Sequence, residues 1–219
     1  MLRRSQAILD AARTLFIAKS YDSVTMDDIA EEADMSRATL YNHFDSKESI
    51  FFQIGIQYLI DLRERQMKFI TLGTSGLDQI MTLSEDLLKS LFEDPLIREI
   101  WRRFQSLLDK EFLTLDNTMN KIYFPKEMEL LSNVVHARFY GEIRELEKTW
   151  FDAIKRGFED GSIKKRIDAD RLTHFLHLIF LGIVDSVNSS RTLLMSVNLT
   201  VEDIIGFTVD LTRNYLATV

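Results

Sequence analysis

Five hydrogen-bonding side chains fall within seven residues of this chain: Arg37, Thr39, Tyr41, Asn42 and His43, with Ala38 small enough to keep the surface open. Leu40 and Phe44 are the apolar positions that would turn inward. A helix surface of this kind can enter a DNA major groove, because it offers donors and acceptors and no bulky apolar group on its outside. A helical hairpin that simply faces water would present similar residues. Spacing alone leaves both readings open.

The elements around this surface are those that would have to hold it. Ile8, Leu9, Ala12, Leu15 and Phe16 make the apolar stripe of an amphipathic helix over about residues 3–19, ended by Ser20-Tyr21-Asp22. Thr25 is an N-cap candidate with Asp28 in the capping-box position, opening a short helix whose apolar side is Ile29, Ala30 and Ala33. Ser36 caps the next helix. Asp45-Ser-Lys-Glu48 then opens a long connecting helix over about 46–70 that carries Ile50, Phe51, Ile54, Tyr58 and Leu62. Two short helices joined by a tight turn behind a supporting helix make a helix-turn-helix.

Beyond the break at Gly73-Thr-Ser-Gly76, the pattern predicts helices near 76–93, 95–113, 127–160, 168–190 and 200–217. Pro95 suits a first helical turn, Gly161 a helix end, and Asp168 or Asp170 and Thr200 helix starts. The 127–160 helix would be about 50 Å long at the usual rise. The expected fold is therefore all-α, with a DNA-binding domain over 1–50 and a larger helical domain over 51–219.

Composition narrows the function classes. The 219 residues include two prolines, eight glycines and no cysteine, which favours long helices and removes disulfides, thiolate metal sites and thiol nucleophiles. No HExxH, glycine-rich phosphate loop or nucleophile elbow is present, so no enzyme motif is found. His174 and His177 share a helix face, but no third ligand is placed by the sequence, and the pair reads as interface histidines rather than as a metal site. No cofactor is expected. The longest apolar run, Leu178 to Val184, is too short to cross a bilayer, and no secretory signal is seen. A soluble, cytoplasmic protein is expected.

The charge runs against DNA binding at first sight. The whole chain is −7, and residues 1–50 hold six Lys or Arg against nine Asp or Glu. Any contact with DNA must rest on locally placed cations, with Arg3, Arg4, Arg37 and Lys47 on one surface and Asp27, Asp28, Glu31 and Glu32 on another.

The run Ala11-Ala-Arg-Thr-Leu-Phe16, Tyr21, Thr25-Met-Asp-Asp-Ile-Ala30, Ala33-Asp-Met-Ser36, Thr39-Leu-Tyr-Asn-His-Phe44 and Lys47-Glu48 closely resembles the DNA-binding region of the TetR family of transcriptional regulators. The resemblance covers about residues 5–55. It implies that Arg37 and Ala38 face base edges, where a guanidinium can bond guanine and a methyl can touch thymine. It also implies that Thr39, Tyr41, His43 and Lys47 contact phosphates, with Thr25 and Ser36 as caps and further phosphate donors. The family usually has glycine where this chain has Ser20 and Asp34, so both positions are expected to adopt a left-handed backbone at some cost.

Homodimerisation is expected through the helices near 168–190 and 200–217. Residues 172–184 are apolar on more than one face, and Ile204, Ile205, Phe207, Val209, Leu211 and Leu216 continue the pattern. Aromatics concentrate in the middle of the chain: Trp101, Phe104, Phe112, Tyr123, Phe124, Phe139, Tyr140, Trp150, Phe151 and Phe158. They read either as core or as walls of a pocket for a largely apolar effector. In the second case Trp101, Phe104, Phe139 and Tyr140 would line it, with Arg103 or His136 as the polar anchor. The function so implied is a regulator, read as a repressor released from operator DNA by a small molecule. An all-α binding protein or enzyme with a merely structural N-terminal hairpin is the competing class.

Overall fold

Helix ends are fixed by short-range capping, and the observed elements follow the caps closely. The computed structural model describes residues 2–71, 74–112, 134–165, 167–190, 196 and 198–218. The helices are α1 (Leu2–Lys19), α2 (Met26–Glu32), α3 (Arg37–Tyr41), α4 (Lys47–Ile70), α5 (Gly76–Glu93), α6 (Pro95–Phe112), α7 (Val134–Glu159), α8 (Ala169–Ser189) and α9 (Val201–Ala217). No strand occurs among the described residues.

Thr25 and Thr200 each form a full capping box, with Asp28 and Asp203 returning the bond to the cap backbone. Ser36 caps α3, Ser75 caps α5, and Asp168 rather than Asp170 caps α8. At the start of α4 the reciprocal bonds run between Ser46 and Ser49, one residue beyond the expected Asp45 and Glu48 pair. A serine hydroxyl both accepts and donates, so two serines three apart close the same box. The long helix expected from 127 is described from Val134 onward; 127–133 lie outside the described residues, as do Tyr123, Phe124 and the side chain of Phe112.

Contacts divide the chain into two compact units, one of Met1–Leu59 with Pro95–Glu142, the other of Ile60–Asp94 with Ile143–Val219. A single cut at 50/51 differs from this, because α4 and α7 each supply residues to both units. In the first unit, α1, α2 and α3 pack around Ile8, Ala12, Phe16, Ile29 and Leu40, all buried, against Phe51 of α4. Phe52 of α4 continues the core into an aromatic cluster, with edge-to-face contacts to Phe104 and Phe139 and a ring contact to His136 at 4.6 Å. Gly55 lets α4 approach this cluster, since a Cβ there would fall 2.6 Å from Phe139 and 2.8 Å from Ile100.

In the second unit, α5 is the hub, touched by both α8 and α9. Its N-terminal amides are satisfied from distant sequence: Gly76 N–H donates to Asp160 and Leu77 N–H to the Ser162 hydroxyl. Asp78 ties α5 to Arg213 of α9 at 3.1 Å. The core holds Ile80, Leu88, Trp150, Ile154, Leu172 and Phe180, and the Trp150 indole donates to the fully buried Gln66. His174 and His177 flank the buried Glu147 carboxylate at 3.6 and 3.9 Å. Burial by itself raises the pKa of Glu147, but the His177 hydrogen bond and the nearby charges of His177, His174 and Arg144 outweigh it and leave the group below its usual range.

Candidate nucleic-acid interface

The surface from Arg37 to His43 begins as α3 and ends as a turn. Its regular helix stops at Tyr41, with Asn42 as C-cap, and His43 and Phe44 both donate back to the Leu40 carbonyl. Leu40 is fully buried while Arg37, Ala38, Tyr41 and Asn42 are exposed and Thr39 and His43 half-buried. One inward leucine therefore presents the remaining residues to solvent as a set. Phe44, expected inward, is only half-buried.

Two tight turns set the angle of this helix, and each passes through a left-handed residue. Ser20 has φ 71° between α1 and α2, and Asp34 has φ 52° between α2 and α3. The serine-for-glycine and aspartate-for-glycine departures thus sit where a Cβ costs about 1–2 kcal/mol. Compensating bonds surround both: Ser20 and Ser23 share a hydroxyl bond, and Met35 N–H reaches the Ala30 carbonyl at 2.9 Å. Asn198, φ 54°, is a third such position that the sequence reading did not anticipate.

Each expected contact residue with a polar side chain already has local work. The Thr25 hydroxyl and backbone N–H both bond Asp28, which holds the Asp28 carboxyl below its usual pKa. The Ser36 hydroxyl accepts from Thr39 N–H at 3.1 Å and pairs with the Thr39 hydroxyl at 2.8 Å. His43 is tied to α1 through Nδ1 and the Ser5 hydroxyl at 3.1 Å. Arg37 bonds Asp27 of α2 at 3.1 Å and lies over the Tyr41 ring at 5.6 Å. Tyr41 first, and then Asp27, raise the pKa of its guanidinium further.

Lys47 does something the sequence did not disclose. Its ammonium donates to the Tyr21 and Val24 carbonyls at 2.8 and 2.7 Å and lies 4.4 Å from the centre of the Tyr21 ring. It thereby clamps the loop that leads from α1 into α2. Two of its three N–H groups are engaged, and one remains.

Arg103, read from sequence as a pocket anchor, lies on that same loop. Its guanidinium bonds Asp22 at 2.7 Å and Glu99 at 2.6 Å and stacks over Tyr21 at 4.2 Å. Tyr21 is the centre of this arrangement, packed also against Phe16 and Phe51. Burial and then the Glu48 charge raise the pKa of its phenol, against the lowering by Arg103. Its presence between two helices, with an apolar body and a charge-accepting face, was the only sequence signal for a hub.

The other residues expected around an effector come together. Phe104 and Phe139 are buried with rings 4.8 Å apart, Tyr140 stacks near Phe104 at 6.5 Å, and Trp101 is half-buried beside it. His136 is buried, 3.6 Å from Glu48. The His136 Nε2 and Trp101 Nε1 atoms are buried without a hydrogen-bond partner among the described residues. Phe52 was missed as a member of this cluster; a Phe-Phe pair in a helix must cover two faces, which was the available signal.

Residues 8–54 match the family model described as bacterial regulatory proteins, tetR family. The HTH-type transcriptional repressor KstR2 of Rhodococcus jostii (strain RHA1) is 28% identical over 173 residues, 79% of this chain and 74% of that protein. The biofilm operon icaADBC HTH-type negative transcriptional regulator IcaR of Staphylococcus aureus (strain Newman) is 54% identical over 46 residues, 21% of this chain and 25% of that one. A solved structure of the transcriptional regulator FadR from Bacillus subtilis in complex with stearoyl-CoA shares the fold, with a TM-score of 0.66 at 14% identity over 97% of both chains.

Proposed function

We propose that this chain, whose residues 8–54 match the tetR family of bacterial regulatory proteins, is a regulator of that family that binds a two-fold operator as a homodimer and leaves it when a largely apolar effector binds. It is a DNA-binding regulator and not an enzyme, and it acts as a repressor. Residues 1–50 are the DNA-binding domain. The carrying observation is the α3 surface, where Arg37, Ala38 and Tyr41 face solvent around a single buried leucine. Arg37 and Ala38 read base edges, while Thr39, Tyr41, His43 and the remaining Lys47 N–H reach phosphates, with Thr25 and Ser36 at the flanking helix starts.

The homodimer reading is supported by apolar surface on two helices of the second unit. Phe175 and Leu178 on α8 are 48% and 45% exposed, and Phe207, Leu211 and Tyr215 on α9 are 58%, 70% and 43% exposed. Gly182 and Gly206 stand on the same helices with open space where a Cβ would be, which permits close helix approach. Apolar stripes of this extent are covered by a partner in a stable protein, and a second copy supplies the two-fold symmetry of an operator.

For the effector, the pocket is the cluster of Trp101, Phe104, Phe139 and Tyr140, with His136 as polar anchor, since Arg103 is engaged by Asp22 and Glu99. The buried Trp101 nitrogen without a hydrogen-bond partner, and the His136 Nε2 met only by Glu48 at 3.6 Å, support this, because buried polar atoms seek partners. FadR holds stearoyl-CoA, and a long acyl chain matches the apolar character of the cluster here. Release requires the effector to prefer the non-binding state by about 1–3 kcal/mol. Regulation of transcription places the protein in the cytoplasm.

The test is a gel shift with genomic fragments flanking the gene, at two salt concentrations. One fragment should be retained over the others, and retention should weaken at the higher salt. Equal retention of all fragments, or of none, refutes the proposal.

A further inference from the structure

Asp27 is the one α2 residue bonded to Arg37 among the described residues, and its placement is costly for a DNA-binding surface. The Asp27 carboxylate accepts from Arg37 Nη1 at 3.1 Å, with the two side chains 63% and 65% exposed. An ion pair this open adds little to stability. It also sets a negative charge beside the cation that meets DNA, which works against phosphate binding. The neighbouring Asp28 carboxylate has a structural duty in the Thr25 capping box. Asp27 takes no part in that capping box.

What the pair does achieve is orientation. A guanidinium carries five N–H groups, and one bonded to Asp27 leaves four. Reading guanine requires two of them, parallel and in the plane of the base pair. The Tyr41 ring, 5.6 Å from the guanidinium carbon, flanks the group while Asp27 holds one end. An untethered arginine can turn to any phosphate within reach, whereas this one must first break its ion pair. Exclusion of water in the groove strengthens the pair where it matters.

We propose that Asp27 is a specificity residue of the interface: it positions the Arg37 guanidinium for one base pair and disfavours capture by phosphates. This rests on the reading of Arg37 as a base-contacting residue.

The test uses the full-length protein and a randomised double-stranded DNA library. Wild type, Asp27→Asn, Arg37→Ala and the double variant are each put through selection. Each is then measured for affinity to the wild-type consensus duplex and to random duplex at one fixed salt concentration. Arg37→Ala should flatten the preference at one base-pair position per half-site. Asp27→Asn should flatten that same position, bind random duplex more tightly, and lower the consensus-to-random ratio about tenfold. The double variant should be no less selective than Arg37→Ala alone. Asp27 is exposed, so Asp27→Asn is expected to melt close to wild type; Asp27→Glu, which keeps a carboxylate on α2, should retain the preference. The proposal is overturned if Asp27→Asn keeps the preference at the Arg37 position, or if its loss of selectivity adds to that of Arg37→Ala. A tighter consensus complex with unchanged preference would make Asp27 a mask and also overturns it. If wild type selects no consensus, or Arg37→Ala alters no position, the base-reading role of Arg37 has failed, and this inference with it.

Discussion

Replacing Lys47 by methionine separates two duties of one ammonium group. Methionine keeps an unbranched apolar stem while removing the charge. The folded protein loses two hydrogen bonds, to the Tyr21 and Val24 carbonyls, and a contact with the Tyr21 ring. Hydrogen bonds from a charged donor are worth about 1.5–3 kcal/mol each, and an exposed cation–π contact about 0.5–1 kcal/mol. Val24 is buried and Tyr21 half-buried, so the freed carbonyls regain only part of their hydration, and the net loss is about 2 kcal/mol. For a chain of this size that lowers the melting temperature by about 4–8 °C.

The proposed function gives the third N–H of Lys47 to a phosphate. Removing it from both copies of a dimer should reduce the slope of log affinity against log salt by about 2, at roughly 0.9 per phosphate. Thermal melting by circular dichroism reads the first effect, and operator titration at several salt concentrations reads the second. An unchanged melting temperature would refute the clamp. An unchanged salt slope with weakened binding would refute the phosphate contact and leave Lys47 as a strut alone.

Three further outcomes follow from the packing. Gly76→Ala would place a Cβ 2.1 Å from the Gly157 amide nitrogen, against backbone that cannot rotate away, so melting should fall by the equivalent of about 3 kcal/mol or more; Gly141→Ala, with open space at its Cβ, should be neutral or stabilising by up to ~1 kcal/mol. Asp78 is held at a pKa of about 2, below the ordinary 3.8, by bonds from Thr74, Ser75 and Arg213. A depressed carboxyl contributes stability that is present above its unfolded pKa and lost as pH falls through the folded one. Asp78→Asn should therefore narrow its stability gap from wild type as pH is lowered from about 4 to 2, and a gap constant across that window in pH-dependent melts would exclude the linkage. Leu211→Asp and Phe207→Asp should convert the dimer to monomer in sedimentation velocity and weaken operator binding together; a dimer unaffected by both would remove α9 from the interface.

What the sequence disclosed and what it withheld separate by the range of the interaction. Thr25 with Asp28, Ser36 with Thr39, and Thr200 with Asp203 are bonds between residues three apart, so their partners are visible in a linear reading, and the helix bounds follow from them. The left-handed turns at Ser20 and Asp34 were legible for a similar reason, as local departures from an expected glycine. The outward set on α3 was legible because one apolar residue, Leu40, fixes the phase of a short helix. The duties of Lys47, Arg103 and Asp27 were not. Lys47 reaches its carbonyls across 23 and 26 residues and Arg103 reaches Asp22 across 81, and no periodicity encodes such pairs. Asp27 and Arg37 are ten residues apart and meet across the turn that contains the left-handed Asp34. Long charged side chains are read from sequence as solvated or as ligand anchors, because their reach exceeds what local pattern constrains. Here two such side chains, Lys47 and Arg103, hold the loop between α1 and α2. The acidic residues that argue against DNA binding do not all stand apart from the cations, as the sequence suggests: Asp22 and Asp27 are ion-pair partners of Arg103 and Arg37.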